Sequence, residues 1–192
     1  TWAASYNNQG PELSENELLI EYTAHRDAHF YLSDGSAIKV SDVESDNPSG
    51  PLTPVASANQ IVTIRVVDQQ NGVCIAATLH LHGSDGEYLA PVDRHRMINT
   101  TWFEDSGIEF APLNHSCTYI SGETTVKLPL GTVYIEVSKG FEYRPVRKSV
   151  RVSADTRNII VEIERVLSWR ANGWISADTH VHFLSPISAL LE

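Results

Sequence analysis

Alternation of apolar and polar residues with a period of two is the feature that most constrains how this chain folds. Between Gln60 and Asp68, the apolar residues Val62, Ile64 and Val66 occupy every second position. Alternate side chains of a β-strand point to opposite faces, so each such run predicts a strand with one buried face. Turn residues separate four further runs at intervals of roughly 8–12 residues, as in a β-sandwich: Thr124–Leu128, Thr132–Ser138, Arg147–Ser153 and Arg157–Arg165.

Turn and linker residues divide the chain into three predicted parts. Ser45–Pro54 collects Asp, Asn, Ser, Gly and three prolines, which is typical of a linker. We therefore expect an N-terminal β segment and linker over residues 1–54, a β-sandwich over 55–168 and a junction over 169–192. Asp34-Gly35 predicts one hairpin, and Asn71-Gly72 predicts another in which Val73–His82 is the return strand.

The alternation also predicts the core and leaves the two cysteines open. Cys74 and Cys117 are either two free thiols or one disulfide, which would require an oxidising compartment. The residues expected to point inward are Ile64, Val66, Val126, Leu128, Val133, Ile135, Val137, Val150, Ile160 and Val161.

Charge and hydropathy exclude two classes of partner. The chain has 14 Lys and Arg against 24 Asp and Glu, a net charge of −10, which is the opposite of a nucleic-acid binder. The sequence contains no run of about 18 apolar residues, so it predicts no membrane span. The sequence starts at Thr1 without a signal-like segment, so we expect any signal peptide to have been removed or never present. We expect a secreted or periplasmic protein, with the cytoplasm as the alternative.

The segment Ser176–Phe183 carries the clearest chemical signal. On a strand, Asp178, His180 and His182 share one face. Two imidazoles at this spacing stand roughly 7 Å apart at Cβ and can both reach one Zn²⁺. Asp178 would be a further ligand or would orient a histidine. We therefore predict a strand over Trp174–Phe183, and Ser185-Pro186 then predicts the start of a helix over Pro186–Glu192. A strand with ligands at its carboxyl end, then a loop and a helix, is typical of a (β/α) barrel enzyme.

Two other polar groups have simpler interpretations. His80 and His82 repeat the His-x-His spacing inside a predicted hairpin, with no acid expected nearby on their face. We interpret them as residues of a solvated strand face rather than metal ligands. Asp93–Arg96 is a charged cluster that is either a solvated loop or a loop over an active-site mouth.

The stretch Gly173–His182 resembles the opening of the polymerase-and-histidinol-phosphatase (PHP) metallohydrolase domain. It is most similar to the CehA/McbA family, in which a β-sandwich leads into a PHP barrel through Gly-Trp-x-x-x-Asp-x-His-x-His. Leu128–Gly131 and Lys139–Pro145 are similar to the sandwich of that family, and the resemblance spans roughly residues 60–192. The resemblance implies a mainly β fold, with an Ig-like or carboxypeptidase-regulatory-like β-sandwich followed by the start of a (β/α) PHP barrel.

The resemblance further implies a divalent-metal-dependent hydrolase that cleaves an ester, amide, carbamate or phosphoester in a small-molecule substrate. His180 and His182, with Asp178, would bind the metal, most simply zinc, with manganese or iron as alternatives. Such enzymes take further ligands from later barrel strands, so we expect this chain to be an inactive N-terminal fragment. Its partner would be the remainder of the metallohydrolase domain or another subunit.

A non-catalytic binding module for a carbohydrate or protein partner is the alternative function. Exposed aromatic side chains on one flat face would favour it. The candidates are Trp102, Phe103, Tyr119 and Tyr143.

Overall fold

A computed structural model of the chain describes residues 19, 20, 22, 25–45, 50–93, 97–99, 104–106, 109–110 and 117–177. The described residues are mainly β, with one short α-helix and one 3₁₀ turn. They fall into two compact units that divide between Ser57 and Ala58. Among the described residues, no helix is long and apolar enough to cross a membrane.

The smaller unit contains the hairpin that Asp34-Gly35 predicts. Strands β1 (His29–Tyr31) and β2 (Ala37–Lys39) pair antiparallel and lead into helix α1 (Val40–Val43). Asp34 accepts hydrogen bonds from the amide and hydroxyl of Ser36, and Gly35 has a φ of 86°. The side chain of Asp34 therefore closes the turn, and only glycine adopts the next backbone conformation without strain.

The larger unit is a β-sandwich. Its strands are β3 (Gln60–Asp68), β4 (Ala77–Gly83), β5 (Met97–Asn99), β6 (Glu104–Ser106), β7 (Glu109–Phe110), β8 (Cys117–Ile120), β9 (Glu123–Leu128), β10 (Gly131–Ser138), β11 (Val146–Val152) and β12 (Asn158–Ile163). The five-stranded sheet has the order β11-β10-β4-β8-β7, the three-stranded sheet has the order β12-β3-β9, and β5 and β6 form a separate ribbon. Every pairing in these sheets is antiparallel except the parallel pair of β3 and β12.

One hydrophobic core joins the two sheets. Branched aliphatic side chains from β3, β9 and β12 pack against those of β4 and β10, which confirms the predicted sandwich. Most of the predicted inward residues are buried in this core, and Val150 is partly buried against it. The buried predicted residues are Ile64, Val66, Val126, Leu128, Val133, Ile135, Val137 and Val161.

Ile160 is the predicted core residue that the structure contradicts. It is 52% exposed, whereas Ile159, Val161 and Ile163 are buried. Consecutive residues of a strand face opposite sides, so burial of Val161 turns Ile160 outward.

The predicted hairpin at Asn71-Gly72 is also wrong in its pairing. The turn exists, with Gly72 at a φ of 70° and the Val73 amide bound to the Asn71 side chain. Only the bridge between Val67 and Cys74 continues the pairing with β3. The returning strand β4 instead pairs with β10 and β8, because its Leu79 and Leu81 complete the core from the opposite sheet.

The two cysteines are free thiols, and Cys117 is buried. The Arg65 guanidinium donates a hydrogen bond to the Cys74 sulfur at 3.4 Å, and Arg65 also pairs with Glu123 at 3.0 Å. The free-thiol interpretation therefore holds, and no disulfide joins the strands that carry these residues.

The two isoleucines of β12 test the register. Ile163→Ala should lower the free energy of unfolding by about 2–5 kcal/mol, because it opens a cavity in a fully buried position. Ile160→Ala removes the same atoms from the exposed face and should cost about 1 kcal/mol or less. Urea unfolding followed by circular dichroism measures both changes, and equal losses would contradict the observed register.

Candidate functional site

The predicted metal ligands Asp178, His180 and His182 lie outside the described residues. The segment that leads to them is described as far as Ala177. Its residues 174–177 are not strand, so the predicted strand Trp174–Phe183 is wrong over that part. The reason is that no described segment pairs with them. The rest of that strand and the predicted helix Pro186–Glu192 also lie outside the described residues.

Glu142 fastens this segment to the sandwich. Its carbonyl oxygen accepts the amides of Val166 and Leu167 at 2.8 and 3.2 Å. Its carboxylate accepts the Trp169 amide at 2.7 Å. Because a single residue binds three backbone amides, the chain leaving β12 is held against the loop after β10.

Tyr143 anchors the same segment from inside the protein. Its hydroxyl donates a hydrogen bond to the buried Asp68 carboxylate at 3.0 Å and accepts one from Arg165 Nε at 2.9 Å. The Arg165 guanidinium also lies 4.9 Å from the centre of the Tyr143 ring. These contacts, led by the hydrogen bond to Tyr143, raise the pKa of Arg165. The Asp68 carboxylate, which is only 4% exposed, therefore has a hydrogen-bond donor in Tyr143 and lies 4.0 Å from the Arg165 guanidinium.

Arg144 completes the attachment. It binds Glu164 through an ion pair at 2.8 Å and donates its amide to the Glu164 carbonyl at 2.9 Å. The exit strap, defined here as residues 142–144 with 164–169, lies partly within the Lys139–Pro145 stretch that carries the sequence resemblance. The sequence analysis did not predict the role of the exit strap. A visible signal of pairing was that each of its two segments carries opposite charges, Glu142 and Arg144 in one and Glu164 and Arg165 in the other.

Near the exit strap, the sandwich surface has a shallow depression of about 260 Å³. Lys139 crosses its rim and donates a hydrogen bond to the Ala76 carbonyl at 2.8 Å. Of the aromatic residues proposed for a binding face, Tyr119 lines this depression and is 57% exposed, whereas Tyr143 is buried. Trp102 and Phe103 lie outside the described residues. The lining residues are Ala76, Ala77, Thr78, Tyr119, Ile120, Ser138, Lys139 and Gly140.

His80 and His82 are not on a solvated face, contrary to the sequence interpretation. They are 9% and 6% exposed, and their rings lie 5.3 Å apart. Tyr134 stacks on His82 at 4.9 Å and Tyr88 on His80 at 6.2 Å. Strand pairing brings Tyr134 to His82 from a distant part of the sequence, which is why the burial was not visible in the local pattern.

An acid also lies on this face, where none was expected. Glu136 is the cross-strand partner of His80. Its carboxylate pairs with Arg147 Nε at 3.0 Å, and both side chains are largely buried. Among the described residues, no group of three or more His, Cys, Asp or Glu side chains could hold a metal ion. The two histidine rings pack against Tyr88 and Tyr134 in a buried setting, not on the solvated face that the sequence predicted.

Asp93 is exposed, and Arg94, His95 and Arg96, the other members of the predicted loop cluster, lie outside the described residues.

Comparisons with known proteins find a distant structural likeness and no family. No family model matches the chain, and no curated protein matches it. Among solved structures, a match is the crystal structure of the group B streptococcus pilus 2b backbone protein, with 18% identity and a TM-score of 0.38. The match covers 56% of this chain and 41% of that one. A likeness this distant does not bear on function.

Replacing the Tyr143 hydroxyl tests the exit strap. Tyr143→Phe should lower the free energy of unfolding by about 1–3 kcal/mol, because the buried Asp68 carboxylate loses one of its donors. Tyr31→Phe, at an 81% exposed position, is the matched control and should change it by less than about 0.5 kcal/mol. Chemical denaturation measures both variants, and equal effects would show that the hydroxyl has no structural role.

Proposed function

We propose that the chain is the N-terminal part of a divalent-metal-dependent hydrolase similar to the CehA/McbA family. The observation that carries the proposal is the sequence Asp178-x-His180-x-His182, which comes after the exit strap and a short segment. Asp178, His180 and His182 are the proposed metal ligands, and the β-sandwich is a non-catalytic module that carries them. The start of a PHP barrel at this position belongs to the same proposal.

The donor set determines the chemistry that is proposed. Two imidazoles and a carboxylate are ligands that zinc favours, with manganese or iron as alternatives. A metal held by these residues would lower the pKa of a bound water and would so supply a nucleophile for an ester, amide, carbamate or phosphoester. His180 and His182 would bind through ring nitrogens, and Asp178 would bind or would fix a histidine tautomer. The substrate is proposed to be a small molecule.

The contacts inside the sandwich support a non-catalytic role for it. Two of its largely buried carboxylates are engaged in structural contacts, Glu136 with Arg147 and Asp68 with Tyr143. The resemblance implies further ligands from later barrel strands, so the 192 residues alone are proposed to be inactive. The proposed partner is the remainder of the metallohydrolase domain or another subunit, in a secreted or periplasmic protein.

A binding module is the second candidate function. The exposed ring of Tyr119 beside the depression favours it, since exposed aromatic rings are common at protein and carbohydrate contacts. Metal binding separates the two candidates, because a binding module of this kind needs no ion.

Zinc titration of the full-length hydrolase, in which the later barrel strands can supply their ligands, tests the proposal. We expect saturable zinc binding, and we expect His180→Ala/His182→Ala to weaken it more than about tenfold, because it removes two of the ligands. Calorimetry or competition with a chromogenic chelator measures the affinity.

His25→Ala/His29→Ala is the matched control, since both histidines are exposed residues of the smaller unit. It should leave zinc binding unchanged. Zinc binding that survives the loss of His180 and His182, or no saturable binding at all, would contradict the proposal.

A further inference from the structure

Large apolar side chains are exposed together at the end of the sandwich where the chain leaves it. Phe141 is 83% exposed, Trp174 66%, Leu167 47%, Val166 43% and Trp169 40%. Contiguous exposed apolar surface of this kind marks an interaction site in soluble proteins, whereas scattered single residues do not. We call these five residues the exit patch.

Hydrogen bonds hold together the main chain that carries the exit patch. The amides of Val166 and Leu167 bind the carbonyl of Glu142, the residue after Phe141. The Trp174 amide binds the Trp169 carbonyl, and the two indole rings meet edge to face at 6.5 Å. The Trp169 amide binds the Glu142 carboxylate, so the segments that carry the exit patch are attached at Glu142 or at Trp169.

The exit patch is also organised before any partner binds. The Glu142 carboxylate holds the Trp169 amide, and Gly173 at a φ of 80° ends the 3₁₀ turn Arg170–Asn172 that carries the chain to Trp174. A surface fixed in this way loses little conformational entropy on binding. Two tryptophans supply the aromatic anchors that commonly dominate interface energies.

The shallow depression extends this surface. Lys139 and Gly140 line it and directly precede Phe141. A partner that covers the exit patch therefore meets a recess of about 260 Å³ that can take one inserted side chain. The combination of apolar anchors and an adjoining recess is typical of a protein interface.

We propose that the exit patch is the surface on which the domain beginning at Asp178 docks, and this inference rests on the proposed function. Covalent continuity identifies the occupant. Residues 175–177 separate Trp174, the last member of the exit patch, from Asp178, so that domain begins within about 14 Å of the exit patch. A domain tethered this closely has a high effective concentration at the exit patch, whereas a second copy of the chain has none of this advantage.

Hydrogen exchange tests the docking. Amides in peptides 139–145 and 164–176 should exchange at least about tenfold more slowly in the full-length hydrolase than in the 192-residue protein. Peptides over the 153–157 turn, at the other end of β12, should exchange at the same rate in both. Equal exchange at 139–145 and 164–176 in the two proteins would overturn the inference.

Exposed-site variants give the matched comparison. In the full-length protein, Phe141→Ser and Trp174→Ser should remove most of the added protection. Tyr31→Ser, at a position as exposed as Phe141, should leave it intact. Protection that appears in the 192-residue protein as its concentration rises, together with a dimeric mass, would assign the exit patch to a second copy and overturn the inference.

The docking and the hydrolase proposal fail separately. Zinc binding without protection of the exit patch would leave the hydrolase proposal standing and overturn the docking. Protection without any metal binding would support the docking and contradict the hydrolase.

Discussion

The burial of two facing rows of branched aliphatic side chains determines the rest of the larger unit. The three-stranded sheet contributes Val62, Ile64 and Val66 on β3. The five-stranded sheet contributes Val133, Ile135 and Val137 on β10. This contact fixes the register of the strands, because a slip by one residue would expose a whole row. It also fixes where β10 and β12 end, so the segments after them meet through the bridge between Tyr143 and Arg165.

The exit strap is a consequence of that geometry. Opposite charges and hydrogen-bonding groups in the segments after β10 and β12 join these two segments by ion pairs and hydrogen bonds. Glu142 binds three backbone amides, and Tyr143 links the chain to the buried Asp68. The chain therefore leaves the sandwich along a defined path, and the proposed docking depends on this path. With a flexible linker, the sandwich would be an independent module. With a fixed exit path, the sandwich holds the domain proposed to begin at Asp178 in a defined position.

The sequence predicts the core well where apolar residues alternate cleanly and fails where they do not. At Ile159–Val161 three apolar residues are adjacent, so the pattern cannot say which of them face inward. Asn71-Gly72 predicts a turn correctly, but the choice of sheet for β4 depends on non-local packing of Leu79 and Leu81. The burial of His80 and His82 depends on Tyr134 and Glu136, which reach them only through strand pairing. Within the exit strap, the opposite charges of Arg144 and Glu164 signalled pairing, but the contacts of Glu142 were hidden, since it binds main-chain amides that no residue identity reveals.

The central claim is that the chain is held against the sandwich where it leaves it. The backbone mobility of residues 166–169 in the exit strap tests this claim most directly. Backbone ¹⁵N relaxation of the 192-residue protein gives order parameters for Val166, Leu167 and Trp169 that can be compared with those of β10 and β12. We expect values near 0.85, as in the rigid strands, because Glu142 holds all three amides. Values below about 0.6 at these residues would identify a flexible linker and contradict a fastened exit.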